Sequence, residues 1–513
     1  MTYLIAACVS LLIGPLFYRF FAEQHKVTKA IDGFVFVSIG GLLLTHILPE
    51  LLHHGGLSAF VVLLAGLFGP SISERLFQKH SRLTHNFTLL LAFTGLLLHT
   101  FIDGSSVSVS DHDHGVADFL PLGIILHRLP EGLAIWWLLS PQFGNKGASF
   151  AIGLMLLGTL GGFAFGEHYA NQLSLDNIVL LQAFVTGSIL HVVWHQPHVE
   201  KSPSDHSRRS ETLAGVGALL GILLLIALFS AESHSGHAHN HDHGHMSMEQ
   251  LWQWTLAVAP YLLVTYLLGS LRFALGLRPD TNNPYLGWLV RLIGPEGFVF
   301  VGLILGWQVA LFLALTSLIL SAFLAQQKIP IDQVGPAQPL TLREFSLHYQ
   351  VERSAPWVIL SLLIGNMMHY PELLANQPWW QCLLLICLMM PLRFCFVGAA
   401  ALGLTLAWAE WSTQAVLLAL LAAPLINSQQ LKKMSGPQGA LTMGLVLGMV
   451  AAGQQWLEGI NLEHAIAWPE QTQVLAVLVL GLLYAIALLR LGPRAFMARL
   501  FSVKFDPHQH HHH

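Results

Sequence analysis

The stretch LLLHTFIDGSS, from Leu96 to Ser106, sets His99 and Asp103 four residues apart at the end of an apolar run. A second stretch, ILHRLPEGLAIW from Ile125 to Trp136, repeats the arrangement with His127 and Glu131. Residues i and i+4 share one helical face, with Cβ atoms roughly 5–6 Å apart. Each stretch therefore presents one imidazole and one carboxylate from the same side of a helix. Together the two half-sites would supply two imidazoles and two carboxylates, whose charges neutralise a divalent cation. Such mixed nitrogen and oxygen donors suit zinc and its first-row neighbours. A charged side chain at the centre of a spanning helix costs about 2.5–3.5 kcal/mol on insertion scales, so a compensating partner is expected. Pro130 has no N–H to give the Leu126 carbonyl, which loosens the backbone beside His127. Gly104 and Gly132, each directly after the acidic residue, permit close helix approach.

The elements that must hold these groups are membrane spans. Only 10% of the 513 residues are charged and 54% are hydrophobic, whereas soluble domains carry about 25% charged residues. Mean hydropathy is +0.59. Apolar runs long enough to cross a bilayer recur along the whole chain. They are continuously apolar rather than alternating, which excludes a β-barrel. Eight spans are expected near 3–18, 34–52, 58–72, 88–110, 119–139, 148–166, 177–195 and 212–231. With the N-terminus outside, the cytoplasmic loops hold Arg19, Lys26, Lys29, Arg75, Lys79, Arg82, Lys146, Lys201, Arg208 and Arg209, and the opposite loops hold no Lys or Arg. The positive-inside rule then fixes this orientation. The first run has no positive charge before it, so it reads as a retained span rather than a signal peptide. The net charge of -4 gives no reason to expect nucleic acid. The four cysteines lie in apolar segments and imply no disulfide framework.

A low-complexity linker, AESHSGHAHNHDHGHMSMEQ from Ala231 to Gln250, carries His234, His237, His239, His241, His243 and His245. It faces outside in this topology, as does DHDHG with His112 and His114. Weak capture of metal ions is the expected role of both tracts. Beyond the linker, GPEGFVFVGLILG at Gly294–Gly306 is matched 142 residues later by GPQGALTMGLVLG at Gly436–Gly448. A recurrence at that offset points to duplicated halves. Residues 297–326 and 379–410 are each too long for one straight span and read as tight hairpins or re-entrant pairs. Cys382, Cys387, Met389, Met390 and Cys395 read as apolar packing. His348, His369 and Glu372 lie near loops and assign no role. The tail PHQHHHH, native or a purification tag, carries no argument.

HTFIDG and HRLPEG resemble the paired signatures of the fourth and fifth spans of ZIP (Zrt/Irt-like) metal transporters, and HILPE at His46–Glu50 is similar to their second span. The resemblance covers residues 1–231. It implies an eight-helix unit that commonly dimerises. Its transport site would lie between the fourth and fifth spans, with His99, Asp103, His127 and Glu131 as primary ligands. The transported ion would be Zn²⁺ or another first-row divalent metal. The sequence departs from the signatures at Thr100 and Arg128. An arginine stays protonated and cannot ligate, so Arg128 is expected to repel a second metal ion and to pair with Glu167, the counterpart of a family ligand. Glu167, His46, Glu50, His191 and His195, together with His168, are expected along an ion pathway. The repeat in the second half weakly resembles duplicated bacterial permeases.

The expectation is thus an all-α polytopic protein. A ZIP-like domain at 1–231 precedes the His-rich extracytoplasmic linker at 232–252. A second helical membrane domain with duplicated halves follows at 253–505, and a His-rich tail at 506–513. It would sit in the cell (inner) membrane, its partners being the metal ion and the bilayer, with the C-terminus in the cytoplasm and metal imported. Catalysis is not expected, because neither helix carries the H-E-x-x-H of a zinc protease. The alternatives are an intramembrane metalloenzyme and a metal-sensing domain fused to a permease for another solute.

Overall fold

The computed structural model describes residues 2–21, 25–76, 93–105, 107–108, 119–169, 179–180, 182–184, 186–188, 190, 208–233, 248–277, 283–331, 340–367, 377–457 and 468–500. The architecture among these residues is all-helical, with no strand, and seven helices are long and apolar enough to cross a membrane. The chain divides into two compact units. Unit 1 is Met1–Met248 with Leu488–Arg494, and unit 2 is Glu249–Ala487 with Ala495–His513.

In unit 1, α1 (Thr2–Phe21) packs along α5 (Phe119–Tyr169), and α2 (His25–Leu42) packs along α6 (Arg208–Ser233). Between them in sequence lie α3 (Leu48–Leu76) and α4 (residues 93–105). Two glycines bend helices that otherwise continue. Gly56 in α3 has φ 53°, and Gly144 in α5 has φ 69°, backbone values that glycine adopts without steric cost. A π-turn at Leu43–Ile47 joins α2 to α3. Pro49 follows it and has no N–H for a regular i→i−4 bond, and the Leu48 N–H instead reaches back to the Leu43 carbonyl.

Helix α2 begins well before the apolar run at 34–52. Its first turns carry Lys26, Lys29 and Asp32, and Asp32 is compensated within the unit. The guanidinium of Arg494 donates to both Asp32 oxygens at 2.7 and 3.2 Å and lies 4.8 Å over the Phe36 ring. A neutralised carboxylate allows the helix to run through a position that hydropathy alone would place in a loop.

Unit 2 comprises α7 (Met248–Ala274), α8 (Pro284–Leu292), α9 (Pro295–Ile304), α10 (Trp307–Gln326), α11 (Gln350–Met367), α12 (Pro378–Met389), α13 (Phe396–Trp408), α14 (Thr413–Ala422), α15 (Gly436–Trp456) and α16 (Glu470–Leu491), the last turn of α16 belonging to unit 1. The stretch 297–326 is broken at Gly306, with φ 97°, and 379–410 is broken between Met389 and Phe396. At 1.5 Å per residue, α13 and α14 are roughly 20 and 15 Å long, short of the ~30 Å hydrocarbon layer. Interrupted backbone at such depth must be enclosed by protein, and both helices are almost wholly buried. Their first turns are capped by Cys395 Sγ, which accepts from the Gly398 N–H at 3.3 Å, and by Ser412 Oγ, which accepts from the Ala415 N–H. The two matched glycine segments differ in extent, since α9 stops before Gly306 whereas α15 runs through Gly448.

Unit 2 also buries polar side chains in pairs. The Tyr266 hydroxyl is 2.6 Å from Ser354 Oγ and 3.1 Å from the Tyr484 hydroxyl, linking α7, α11 and α16. Glu352 in α11 accepts from Arg499 at 3.0 Å, with His348 Nδ1 at 3.8 Å. Arg272 holds both oxygens of Glu296 at 3.1 and 2.9 Å.

Candidate metal site

Four helical segments of unit 1 converge where the His–carboxylate pairs were expected, and small residues let them approach. Gly158 and Gly162, four residues apart in the second half of α5, form a GxxxG stripe for α4. A methyl on Gly162 would collide with the Phe101 carbonyl, and one on Gly104 with the Thr159 carbonyl. The first half of α5 meets α1 in the same manner. Gly132 faces the Leu11 carbonyl, Gly14 faces the backbone of Leu133, and Ser10 Oγ donates to the Ile125 carbonyl at 2.6 Å. The glycines after Asp103 and Glu131 are thus the contacts that fix both carboxylates in register.

At this crossing Asp103 and Glu131 do not face each other alone. The guanidinium of Arg128 lies between them, 3.1 Å from Asp103 Oδ2 and 3.1 Å from Glu131 Oε2, and donates to the Thr100 carbonyl at 3.2 Å. The Arg128 side chain is 1% exposed, and those of Asp103 and Glu131 are 10% and 9% exposed. His99 Nε2 is 3.6 Å from Asp103 Oδ2, too long for a hydrogen bond, and its side chain is 28% exposed. Two carboxylates face one guanidinium in an enclosed site. At 4 Å and an effective dielectric near 20, a pair of unit charges interacts by about 4 kcal/mol. The position between the carboxylates is therefore strongly selective for positive charge.

Apolar layers flank the charged group on both sides along the helices. Leu4, Ala7, Val107 and Ile124 form one layer, joined by Cys8 and Phe163. Leu11, Ile135, Trp136, Leu139, Ala151, Ile152 and Met155 form the other, joined by Phe93 and Leu96. Each helix passes from one layer, through the polar crossing, into the second.

Of the expected ligand set, the structure places Asp103 and Glu131 on the one guanidinium of Arg128, with His99 3.6 Å from Asp103. His127 lies in α5 one residue before Arg128, but its side chain falls outside the described residues, as do those of His46 in the π-turn, Glu50 in α3, and Glu167 and His168 at the end of α5. His191, His195, His112, His114, His234, His237, His239, His241, His243, His245, His369 and Glu372 also lie outside them. Among the described residues no group of three or more His, Cys, Asp or Glu side chains is arranged to hold a metal ion. The expected pairing of Arg128 with Glu167 falls on a side chain outside the described residues, and among the described residues the partners of Arg128 are the two carboxylates and the Thr100 carbonyl. Its spacing of three residues from Glu131 was a visible signal for that pair, whereas the link to Asp103 depends on helix register. Sequence reasoning also passed over Asp32 and Glu352, both buried acids whose arginine partners lie far along the chain. Comparison with protein-family models, with characterised proteins and with solved structures gave no match.

Proposed function

We propose that residues 1–231 form a divalent metal-ion transporter of the ZIP kind, with eight spans and an outside N-terminus, that carries Zn²⁺ toward the cytoplasm between α4 and the first half of α5. The observation that carries this reading is the convergence of Asp103 and Glu131, from two different helices, on one enclosed cationic position. A hydrated divalent ion cannot enter hydrocarbon, and a set of imidazole and carboxylate donors at that depth supplies a replacement shell. His99 and His127 would complete the shell from the helical faces that carry the two acids. The apolar layers on either side correspond to an occluded state, and alternating access requires the layers to part in turn.

Stability alone is a poor reason for this arrangement. A buried ion pair is often no more stabilising than well-packed apolar residues of equal volume. Unit 2 is read as a second membrane domain with duplicated halves, since α9 and α15 both carry proline in the first turn, at the start of a matched glycine segment.

The test is saturable ⁶⁵Zn uptake into proteoliposomes by the intact chain, by Asp103→Asn and by Glu131→Gln. Loss of uptake in both variants, with the size-exclusion profile retained, supports transport through this crossing. Uptake equal to that of the unaltered chain would make the trio a structural ion bridge and move any transport elsewhere.

A further inference from the structure

We propose that Arg128 is a tethered cation that occupies the carboxylate position when the metal ion is absent and must withdraw for the metal ion to bind. The inference rests on the reading of unit 1 as a divalent-metal transporter. Arginine cannot give up its proton in a protein, so it cannot clear the site by changing charge and has to move as a whole. With the guanidinium in place, an arriving divalent ion meets a fixed positive group touching both carboxylates. With the guanidinium gone, it meets two negative charges. Binding is then an exchange of one cation for another at the same oxygens.

The hydrogen bonding around Arg128 fits a removable occupant better than a locked strut. A buried arginine held for structure alone is expected to use all its donors, since buried polar groups are nearly always paired. Here Nε of Arg128 is buried with no partner among the described residues, and so is Oε1 of the Glu131 carboxylate it contacts. The unused oxygen is an acceptor already removed from solvent. The third contact of the guanidinium, the Thr100 carbonyl at 3.2 Å, belongs to an intact helix and loses nothing essential when Arg128 leaves. The residue replaced in the family signature at this point is therefore the one that sets how tightly the metal is held.

An occupant present most of the time lowers apparent affinity by the fraction of time the site is free. Zinc binding to the detergent-purified full chain, measured by equilibrium dialysis with ⁶⁵Zn, reads this directly. Arg128→Gln removes the competitor, and its dissociation constant should fall by about tenfold or more. Arg128→Lys keeps a charge but lacks the fork that spans two carboxylates, so it should bind zinc with intermediate affinity. Millimolar guanidinium chloride should weaken zinc binding competitively in Arg128→Gln and leave the unaltered chain unaffected. If Arg128→Gln does not fold, the lysine variant still decides, because binding no tighter than that of the unaltered chain overturns the proposal. Equal or weaker binding in Arg128→Gln also overturns it, while zinc binding that is lost in Asp103→Asn keeps the transporter reading alone. Absence of saturable zinc binding in the unaltered chain and in Arg128→Gln overturns both.

Discussion

In unit 1 the charged groups at the helix crossing are enclosed together, with the Arg128 side chain 1% exposed between Asp103 and Glu131. In unit 2 the comparable acid, Glu352, is equally buried, but its partner Arg499 is 36% exposed. Elsewhere unit 2 buries neutral hydroxyls, as in the Tyr266, Ser354 and Tyr484 chain. The contrast separates two uses of polarity at depth. A hydroxyl chain or an ion pair reaching the boundary ties helices together at modest cost. An enclosed trio that sets two carboxylates on one guanidinium gains little in stability over well-packed apolar residues. Gly104, Gly132 and Gly162 at the crossing of unit 1 meet neighbouring backbone, whereas Gly439, Gly444 and Gly448 of α15 face open space.

Five substitutions sharpen or break this comparison. Glu131→Gln should lower saturable ⁶⁵Zn uptake by at least about tenfold, while Tyr266→Phe leaves it within about twofold. Equal losses in the two would erase the distinction between the units. Next in size, Gly132→Ala forces a methyl onto the Leu11 carbonyl and should cost about 1–3 kcal/mol. The same change at Gly448 meets nothing and should stabilise α15 by about 0.5–1 kcal/mol through helix propensity. Thermal melting of the solubilised protein would show opposite shifts, and a matching sign would count against the packing contrast. Glu352→Gln leaves Arg499 able to reach water, so the expected loss is about 1–3 kcal/mol rather than that of a fully enclosed pair. The smallest effect on melting is that of Tyr266→Phe, about 1 kcal/mol for one shared hydroxyl.

Much of this architecture was legible in residues read locally. Continuous apolar runs specified helices, Gly306 broke the over-long stretch at 297–326, and the i,i+4 spacing put His99 and Asp103 on one face. What escaped was set by distance along the chain. The partner of Asp32 is 462 positions away, and that of Glu352 is 147 away, separations that no periodicity reports. Asp32 lies ahead of the span expected at 34–52, where α2 has already begun. The sequence places the fixed charge of Arg128 beside the expected ligands, but its grip on Asp103 depends on the register of α4 against α5. That register is fixed by Gly104 meeting Thr159 and Gly162 meeting Phe101, pairings that a single sequence does not display.

The Asp32–Arg494 pair carries a consequence for how the molecule is made. Unit 1 comprises the first 248 residues and the short return segment Leu488–Arg494. A ribosome releases the chain from its N-terminus, so helix α2 enters the bilayer long before its counter-ion exists. Asp32 must wait through the synthesis of all of unit 2 without its arginine. The N-terminal unit is therefore completed last, and a chain ending at Met248 should be less stable than the same segment in the whole protein. Asp32→Asn should recover part of that stability in the shortened chain while lowering it in the full one, a reversal of sign that melting curves of the four proteins would reveal.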